Sequence, residues 1–507
     1  MTSVRFGGKT AGVPSLGGAS AEYGTSCTGG RLTRWALVMA CAMAPLADRS
    51  SGSAFSIAEN GARAAGMGNA FTSVADDGSA IFYNPAGIAF SEGMNFEMHN
   101  LAVVGLFRFV PSDPAPGQQV PEKGFSGSIK PKFIPVGSLY VTKKLSDKLA
   151  VGFGMFAPFG LAANFTNFND GDPALTKYPG RFAGTRAKLE SFWFQPTVAY
   201  KITPNSSVSA GLALVHTHLL IESSLLNPLD DGLEFGREAA GTVFPGVDTE
   251  QAARVISRLL PEGRSRIAGT ANSPGVNLGY LYKNPDGKFN FGFMYRSAVT
   301  NHLKGKASFA FGHGYALEKF VGEDLLSKAF PNQDITGSFT TPATYAAGVS
   351  RKGPMDTLIS FDVKLQDYKR FASVPLNFSQ TKATNKDVRT PAERRLIFDF
   401  RNSWVVATGV EKKMRPDMTI RAGYNYDRTP VVDKSVGPLF PDSSRHTITM
   451  GATKVVRGID FTMFYQAMQF VNRTVNVPAN NIQGTNGEYR NFAHLLGTSL
   501  RFGRKSK

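Results

Sequence analysis

From about residue 93 onward the chain alternates with a period of two. Phe289, Phe291, Phe293 and Tyr295 interleave with Asn290, Gly292, Met294 and Arg296. Leu149, Val151, Phe153 and Met155 interleave with Ala150, Gly152 and Gly154, and the same holds around Ile420–Tyr426 and Thr447–Ala452. Successive side chains of a strand point to opposite faces, so this pattern predicts strands set between an apolar and a polar environment. The alternation predicts strands near 94–110, 129–145, 148–159, 184–203, 206–223, 274–284, 288–311, 336–353, 355–370, 392–413, 417–430, 443–456, 457–472 and 488–502.

The connections are sorted. Every second one is short and built of turn residues: Ser146-Asp147, Thr203-Pro204-Asn205, Asn284-Pro285-Asp286-Gly287, Gly353-Pro354, Arg415-Pro416 and Arg457-Gly458. The others are long: 111–128, 160–183, 224–273, 312–335, 371–391, 431–442 and 473–487. Short turns at one end and long loops at the other are expected of an outer-membrane barrel with an even strand number. The expected fold is therefore all-β: a transmembrane antiparallel β-barrel of about fourteen strands. Closure satisfies every backbone donor and acceptor while lipid solvates the apolar face.

Residues 54–93 do not alternate. They are rich in Gly and Ala and carry Asp76-Asp77-Gly78 and Tyr83-Asn84-Pro85-Ala86-Gly87. Such a stretch is either a disordered leader or a small plug packed inside the lumen. Two long loops carry helical stripes: Ala252, Val255, Ile256 and Leu259 within 249–260, and Leu317, Phe320, Val321 and Leu325 within 317–330. Each stripe either packs its loop on the barrel rim or offers an apolar groove where a greasy ligand lands.

Composition sharpens this in three places. The longest apolar run, Trp35–Ala47, is too short for a membrane helix; behind Arg31 and Arg34 and before Ser50–Ala54 it reads as a signal peptide. The expected organisation is a removed leader at 1–53, a hatch at 54–93 and a barrel at 94–507. Both cysteines, Cys27 and Cys41, fall in the leader, so no disulfide is available to the remainder. The net charge is +17, yet the basic residues are scattered through loops and strand ends, which argues against nucleic acid. His216 and His218 share a strand face but make half a metal site, and no catalytic constellation accompanies them. No enzyme activity, metal or cofactor is expected. An open porin for polar solutes would want no plug and a charge-lined lumen.

With these residues in place, the chain resembles the long-chain fatty acid outer-membrane transporters (FadL-type). The resemblance rests on Ala54–Glu59, Gly66–Ala70, Ala75-Asp76-Asp77, Asn84-Pro85-Ala86, Ala157–Leu161, Tyr178–Phe182, Gln195–Tyr200, Tyr295-Arg296-Ser297, Arg421–Tyr424 and Pro441–His446, in order along the chain. It implies a fourteen-stranded barrel, a hatch, a kinked third strand that opens sideways, and passive uptake of a hydrophobic ligand such as a long-chain fatty acid. Related branches carry aromatic and other lipophiles, and a lipid-acting barrel enzyme is the remaining alternative. The implied partners are outer-membrane lipids, and the expected state is a monomer.

The expected ligand-contacting residues are Val255, Ile256, Leu259, Phe320 and Leu325 in the loops, with Arg296 and Arg421 facing a ligand carboxylate or bracing the hatch. The expected gate is Asn84, Pro85 and Ala86 of the hatch with Gly152, Gly154 and Pro158 of the third strand. Glycine weakens a strand and proline lacks the N–H that joins a ladder, so Pro158 either bends the strand or begins the loop. Asn84 is expected to cap the exposed backbone groups beside it.

Overall fold

The computed structural model describes residues 54–504, apart from 113–126, 130–133, 165–178, 229, 244–247, 287, 313–324, 381–392, 438 and 479–483. The expected leader lies outside the described residues.

Fourteen antiparallel spans close into one barrel. They are β1 (Met94–Pro111), β2 (Ile134–Lys144, with a short piece at Gly127–Ile129), β3 (Leu149–Asn164), β4 (Arg186–Thr203), β5 (Ser206–Leu225) and β6 (Gly263–Lys283). Next come β7 (Phe289–Arg296 and Val299–Phe311), β8 (Gln333–Thr341 and Thr344–Lys352), β9 (Thr357–Gln366, continued by Ser373–Phe378) and β10 (Glu393–Ile397 and Ser403–Arg415). The last four are β11 (Met418–Asp427), β12 (Arg445–Val456), β13 (Ile459–Phe470, continued by Arg473–Val475) and β14 (Gly487–Arg504). The seam is complete: β1 pairs β14 from Met94↔Arg504 to Pro111↔Gly487.

Side chains alternate across the wall as the sequence pattern requires. On β5, Val208, Leu212 and Leu214 are exposed to the outside while Ser207 and Thr217 are fully buried toward the lumen. The same outer band carries Phe96, Phe291, Phe293, Ile448, Met450, Phe461 and Phe502, the lipid-facing surface of a transmembrane barrel. At the loop end of β11–β13, Tyr424, Tyr426, His446 and Tyr465 provide amphipathic rings at the level where such girdles meet the membrane interface.

Some strands differ from the sequence expectation. β6 begins at Gly263, so 263–273 is strand and not part of a loop from 224. β3 runs on to Asn164, so Pro158 does not begin a loop. One loop helix, α1 (Asp231–Val243), was not expected; it packs on α2 (Thr249–Leu259), close enough that a Cβ on Gly236 would sit 2.5 Å from the Ala253 carbonyl oxygen. In α2 the Asp248 carboxylate caps the N-terminus, accepting from the Glu250 and Gln251 amides at 3.0 and 3.4 Å.

Candidate functional site

Residues 54–93 fill the lumen between the walls. They form two very short helices (Ala62–Gly66 and Ala80–Tyr83) and a 3-10 turn at Pro85–Phe90, with nearly every residue buried. Helices this short leave most of their carbonyls without internal partners, so the wall must supply them. It does so with inward polar side chains: Gln466 donates to the Ala65 carbonyl at 3.0 Å, Asn425 to Gly68 at 3.2 Å, Asn277 to Ile81 at 3.1 Å and Ser207 to Ala86 at 2.8 Å. Asp362 accepts from the Phe71 and Thr72 amides and the Thr72 hydroxyl at 3.0, 2.9 and 2.6 Å. Lys364, two residues along the same inward face, donates to the Asn69 carbonyl at 2.7 Å.

On β10, β11 and β12 the hatch backbone touches the wall directly. A Cβ at Gly423 would lie 2.3 Å from the Gly68 nitrogen, and one at Gly409 would lie 2.4 Å from the Met67 carbonyl oxygen. These two glycines face each other in register. No larger residue fits either position without displacing backbone. Beside them an ion network ties hatch to wall: Arg63 bonds Asp76 and, through Nε and Nη2 at 2.7 and 2.8 Å, Glu411. Arg421 closes the network, donating to Glu411 at 2.6 Å and to Thr453 at 2.7 Å.

The wall between β2 and β3 is built differently. Their pairing runs from Lys144↔Ala150 to Leu139↔Met155 and stops there among the described residues, although β2 continues to pair β1 and β3 continues to pair β4. Above Phe156, residues Ala157 and Pro158 bulge out of the β4 register, which resumes at Phe159↔Ser191. An extra residue flips the inward face and bends the strand. The freed edge is taken by the hatch: the Ile57 amide donates to the Pro158 carbonyl, and the Gly160 amide donates to the Phe55 carbonyl, both at 2.8 Å. Asn60 spans the break. Its Oδ1 accepts from the Ser138 hydroxyl of β2 at 3.0 Å and from the Ala157 amide of β3 at 3.3 Å. Its own carbonyl accepts from the Tyr140 hydroxyl at 2.7 Å.

A cavity of about 250 Å³ lies against this break. Its walls include Phe55 and Ile57 of the hatch, Leu101 and Phe107 of β1, Phe159 of β3 and Met468 of β13. Its lining also includes the charged residues Arg445 and Glu59. Arg445 pairs Asp427 at 2.8 Å. Burial holds the Glu59 carboxyl above the usual carboxylate range, against the pull of Arg445. Beyond it, toward the loops, stands a cluster of rings around Phe371 (Phe55, Phe339, Phe398, Phe400 and Phe440, centroids 5.0–6.1 Å away).

The expected site residues fall in several places. Asn84 is not at the third strand: its side chain donates to the Thr72 and Tyr280 carbonyls at 2.8 and 2.9 Å and accepts from Ala86 at 3.2 Å, which places the Asn84-Pro85-Ala86 turn against β6. The capping role beside Pro158 belongs to Asn60. Gly152 and Gly154 do not open the wall; they lie in its paired part, where a Cβ on either would come within 2.8 Å of Ile81.

Arg296 is buried under the hatch, donating to the Phe82 carbonyl at 2.5 Å with its guanidinium 4.2 Å from the Phe82 ring. Neither Arg296 nor Arg421 lines the cavity; both brace the hatch. In α2, Ile256 is buried in the packing of the loop helices with Phe235 and Leu326, so its contribution is to the rim. Val255 and Leu259 are exposed at 55% and 44% and remain available to a ligand. Phe320 lies outside the described residues. Leu325 opens a one-turn helix, Leu325–Ala329, and its side chain lies outside the described residues.

Comparison with known proteins matches this architecture. The family described as "Outer membrane protein transport protein (OMPP1/FadL/TodX)" matches residues 43–503. The 47 kDa outer membrane protein of Pasteurella multocida is 25% identical over 420 residues, 82% of this chain and 87% of that one. Outer membrane protein P1 of Haemophilus influenzae is 21% identical over 431 residues, 82% and 85% of the two chains. Among solved structures, a Pseudomonas aeruginosa FadL homologue superimposes with a TM-score of 0.71 at 17% identity, covering 89% of this chain and 100% of that one. The P. putida toluene transporter TodX gives 0.58 at 16% identity, covering 85% and 95%. The chain belongs to the OMPP1/FadL/TodX family and is an outer-membrane channel for hydrophobic compounds.

Proposed function

We propose that this monomeric barrel takes up long-chain fatty acids passively and does no chemistry on them. The ligand lands on the exposed apolar face of α2 around Val255 and Leu259, enters past the Phe371 ring cluster and settles in the cavity beside the break. It leaves sideways between β2 and β3 into the lipid, where an apolar chain is far better solvated than in water. The observation that carries this reading is the coincidence of three features: an apolar cavity, an unpaired stretch of wall, and a hatch limb that fills that stretch with only a few hydrogen bonds. The carboxylate would meet Arg445, because a buried unpaired charge is costly and Arg445 is a cation on the cavity wall.

A second reading is an aromatic hydrocarbon, favoured by the ring cluster, where edge-to-face packing would accept a planar ligand. Cysteines placed at Ser138 and Ala157, both within reach of the same Asn60 oxygen, test the exit. Oxidising them should cut fatty-acid uptake severalfold relative to the reduced protein. Equal uptake in both states removes lateral release. An Arg445→Leu variant that loses the acid and its matching alcohol equally removes the carboxylate role and favours the aromatic reading.

A further inference from the structure

Strands β4–β7 rise well beyond the lipid-facing band. On β5 the outward positions are apolar through Leu214 and then carry His216, His218 and Glu222, with Leu220 buried between the last two. On β6 they run from Leu278 to Asn272, Thr270, Arg266 and Arg264, and on β7 from Phe293 to His302, Lys304 and Lys306. The registers put these changes side by side: Glu190↔His218, His218↔Thr270 and Thr270↔Lys304 form one row across four strands. A strand wall that keeps its pairing while its outer face changes from apolar to charged has left the hydrocarbon.

Among the described residues the charges above that line are unbalanced: Arg186, Lys188, Arg266, Lys304 and Lys306 face outward against Glu190, Glu222 and Asp334. One carboxylate, Glu222, serves both Arg266 at 3.1 Å and Arg186 at 3.6 Å. Lys304 and Lys306 are exposed and have no ion-pair partner among the described residues. Next to them is a cavity of about 400 Å³ whose lining includes Arg264, Arg266, Ser224, Ser308 and Asn332, together with the Glu222 carboxylate that Arg266 and Arg186 share. Guanidinium groups fork onto phosphate oxygens, and clustered hydroxyls and amides suit a sugar.

We propose that this outer face binds the phosphorylated sugar headgroup of an outer-leaflet glycolipid, with the 400 Å³ cavity as its seat. The position decides the source: the face begins where the apolar band ends, at headgroup level, and its excess charge is positive. This holds for an outer-membrane barrel whatever its cargo.

The test uses the full-length barrel, immobilised in zwitterionic detergent and titrated with purified deep-rough lipopolysaccharide. Removing the glycolipid phosphates should weaken binding about tenfold or more, and an R264S/R266S/K304S/K306S variant should lose a similar factor, since each basic group near an anionic surface counts separately. Heat-modifiable mobility in gels verifies that the variant barrel is folded. If it is not, K304S/K306S alone, at two exposed positions, should give about a threefold drop. Equal affinity for the intact and dephosphorylated glycolipid, or for wild type and a folded variant, overturns the proposal. Displacement by inorganic polyphosphate at matched phosphate concentration overturns it too, assigning the face to soluble anions.

Discussion

Against β10–β12 the hatch lies at glycine distance, with Met67 and Gly68 backbone atoms where side chains of Gly409 and Gly423 would stand. Against β2 and β3 it stands in for a missing strand, held by the Phe55 and Ile57 backbone and the Asn60 amide. The first contact excludes water and solvent-accessible alternatives over a continuous backbone surface, and nothing can replace it piecemeal. The second consists of separate hydrogen bonds, each with a modest net worth of about 0.5–1.5 kcal/mol. One plug is thus anchored on one side and provisional on the other, and the cavity opens on the provisional side.

The largest effect should come from breaking the anchored side. A G423L substitution places a side chain where the Gly68 nitrogen sits, and the hatch cannot keep its seat. The barrel should still insert and shift with heat on gels, while ion conductance through planar bilayers rises at least about tenfold as the plug is displaced; overpacking costs of 1–3 kcal/mol or more support that scale. Conductance at the wild-type level would show that the contact is not what holds the plug.

Asn60→Ala acts on the provisional side. It removes the bridge between Ser138 and Ala157, and opening of the break should become about five- to tenfold more frequent for the loss of one to two net hydrogen bonds. Hydrogen exchange of the Ile57 and Gly160 amides reads this directly. Faster exchange at these two with no change at Phe71 and Thr72 keeps the contrast, and uniform change across the hatch abolishes it.

Asp362→Ala sharpens the comparison from the other direction. It deletes three hydrogen bonds to Phe71 and Thr72, yet those residues are flanked by wall contact. Thr72 amide exchange should quicken by about tenfold, as loss of charge-assisted bonds allows, while conductance and uptake stay within about twofold of wild type. A conductance rise comparable to that of the Gly423 variant would mean that polar bonds, not backbone contact, anchor this side.

Much of the barrel was legible because lipid and lumen impose unlike demands on neighbouring residues. The strand number, the order of short turns and long loops, and the start of the barrel near Met94 all follow from that contrast. Reading weakened wherever the contrast did. The first half of β6 has Arg264, Arg266, Thr270 and Asn272 outside, and inside it Ser265, Gly269 and Ser273 interrupt Ile267 and Ala271, so no continuous apolar face marks it as a strand. The upper part of β3 was masked by Pro158, which here sits in a bulge and leaves the strand intact.

The site was less legible than the fold. Arg296 and Arg421 have the inward parity expected of them, but parity does not say whether a lumen cation meets a ligand or the plug. Asp362, Lys364 and Glu411 were readable in principle, as charges on the inward positions of otherwise apolar strands. Asn60 was not. Its importance comes from where two strand edges separate, and nothing local in Glu59-Asn60-Gly61 encodes that distance.

The seam between β1 and β14 sets the order in which such a chain can assemble. Its partners, Met94 and Arg504, lie at opposite ends of the barrel sequence, so closure is among the most non-local contacts the chain can make and comes late. Until then both edge strands present unpaired backbone to any other chain they meet. The hatch waits as well: its helices span five and four residues, too short to persist alone, and wall residues that hold them, such as Asn277 and Gln466, follow 196 and 401 positions after the residues they bond. The segment that precedes every strand is therefore among the last parts of the barrel to acquire structure, and the unpaired edges stay open to misassociation until it does.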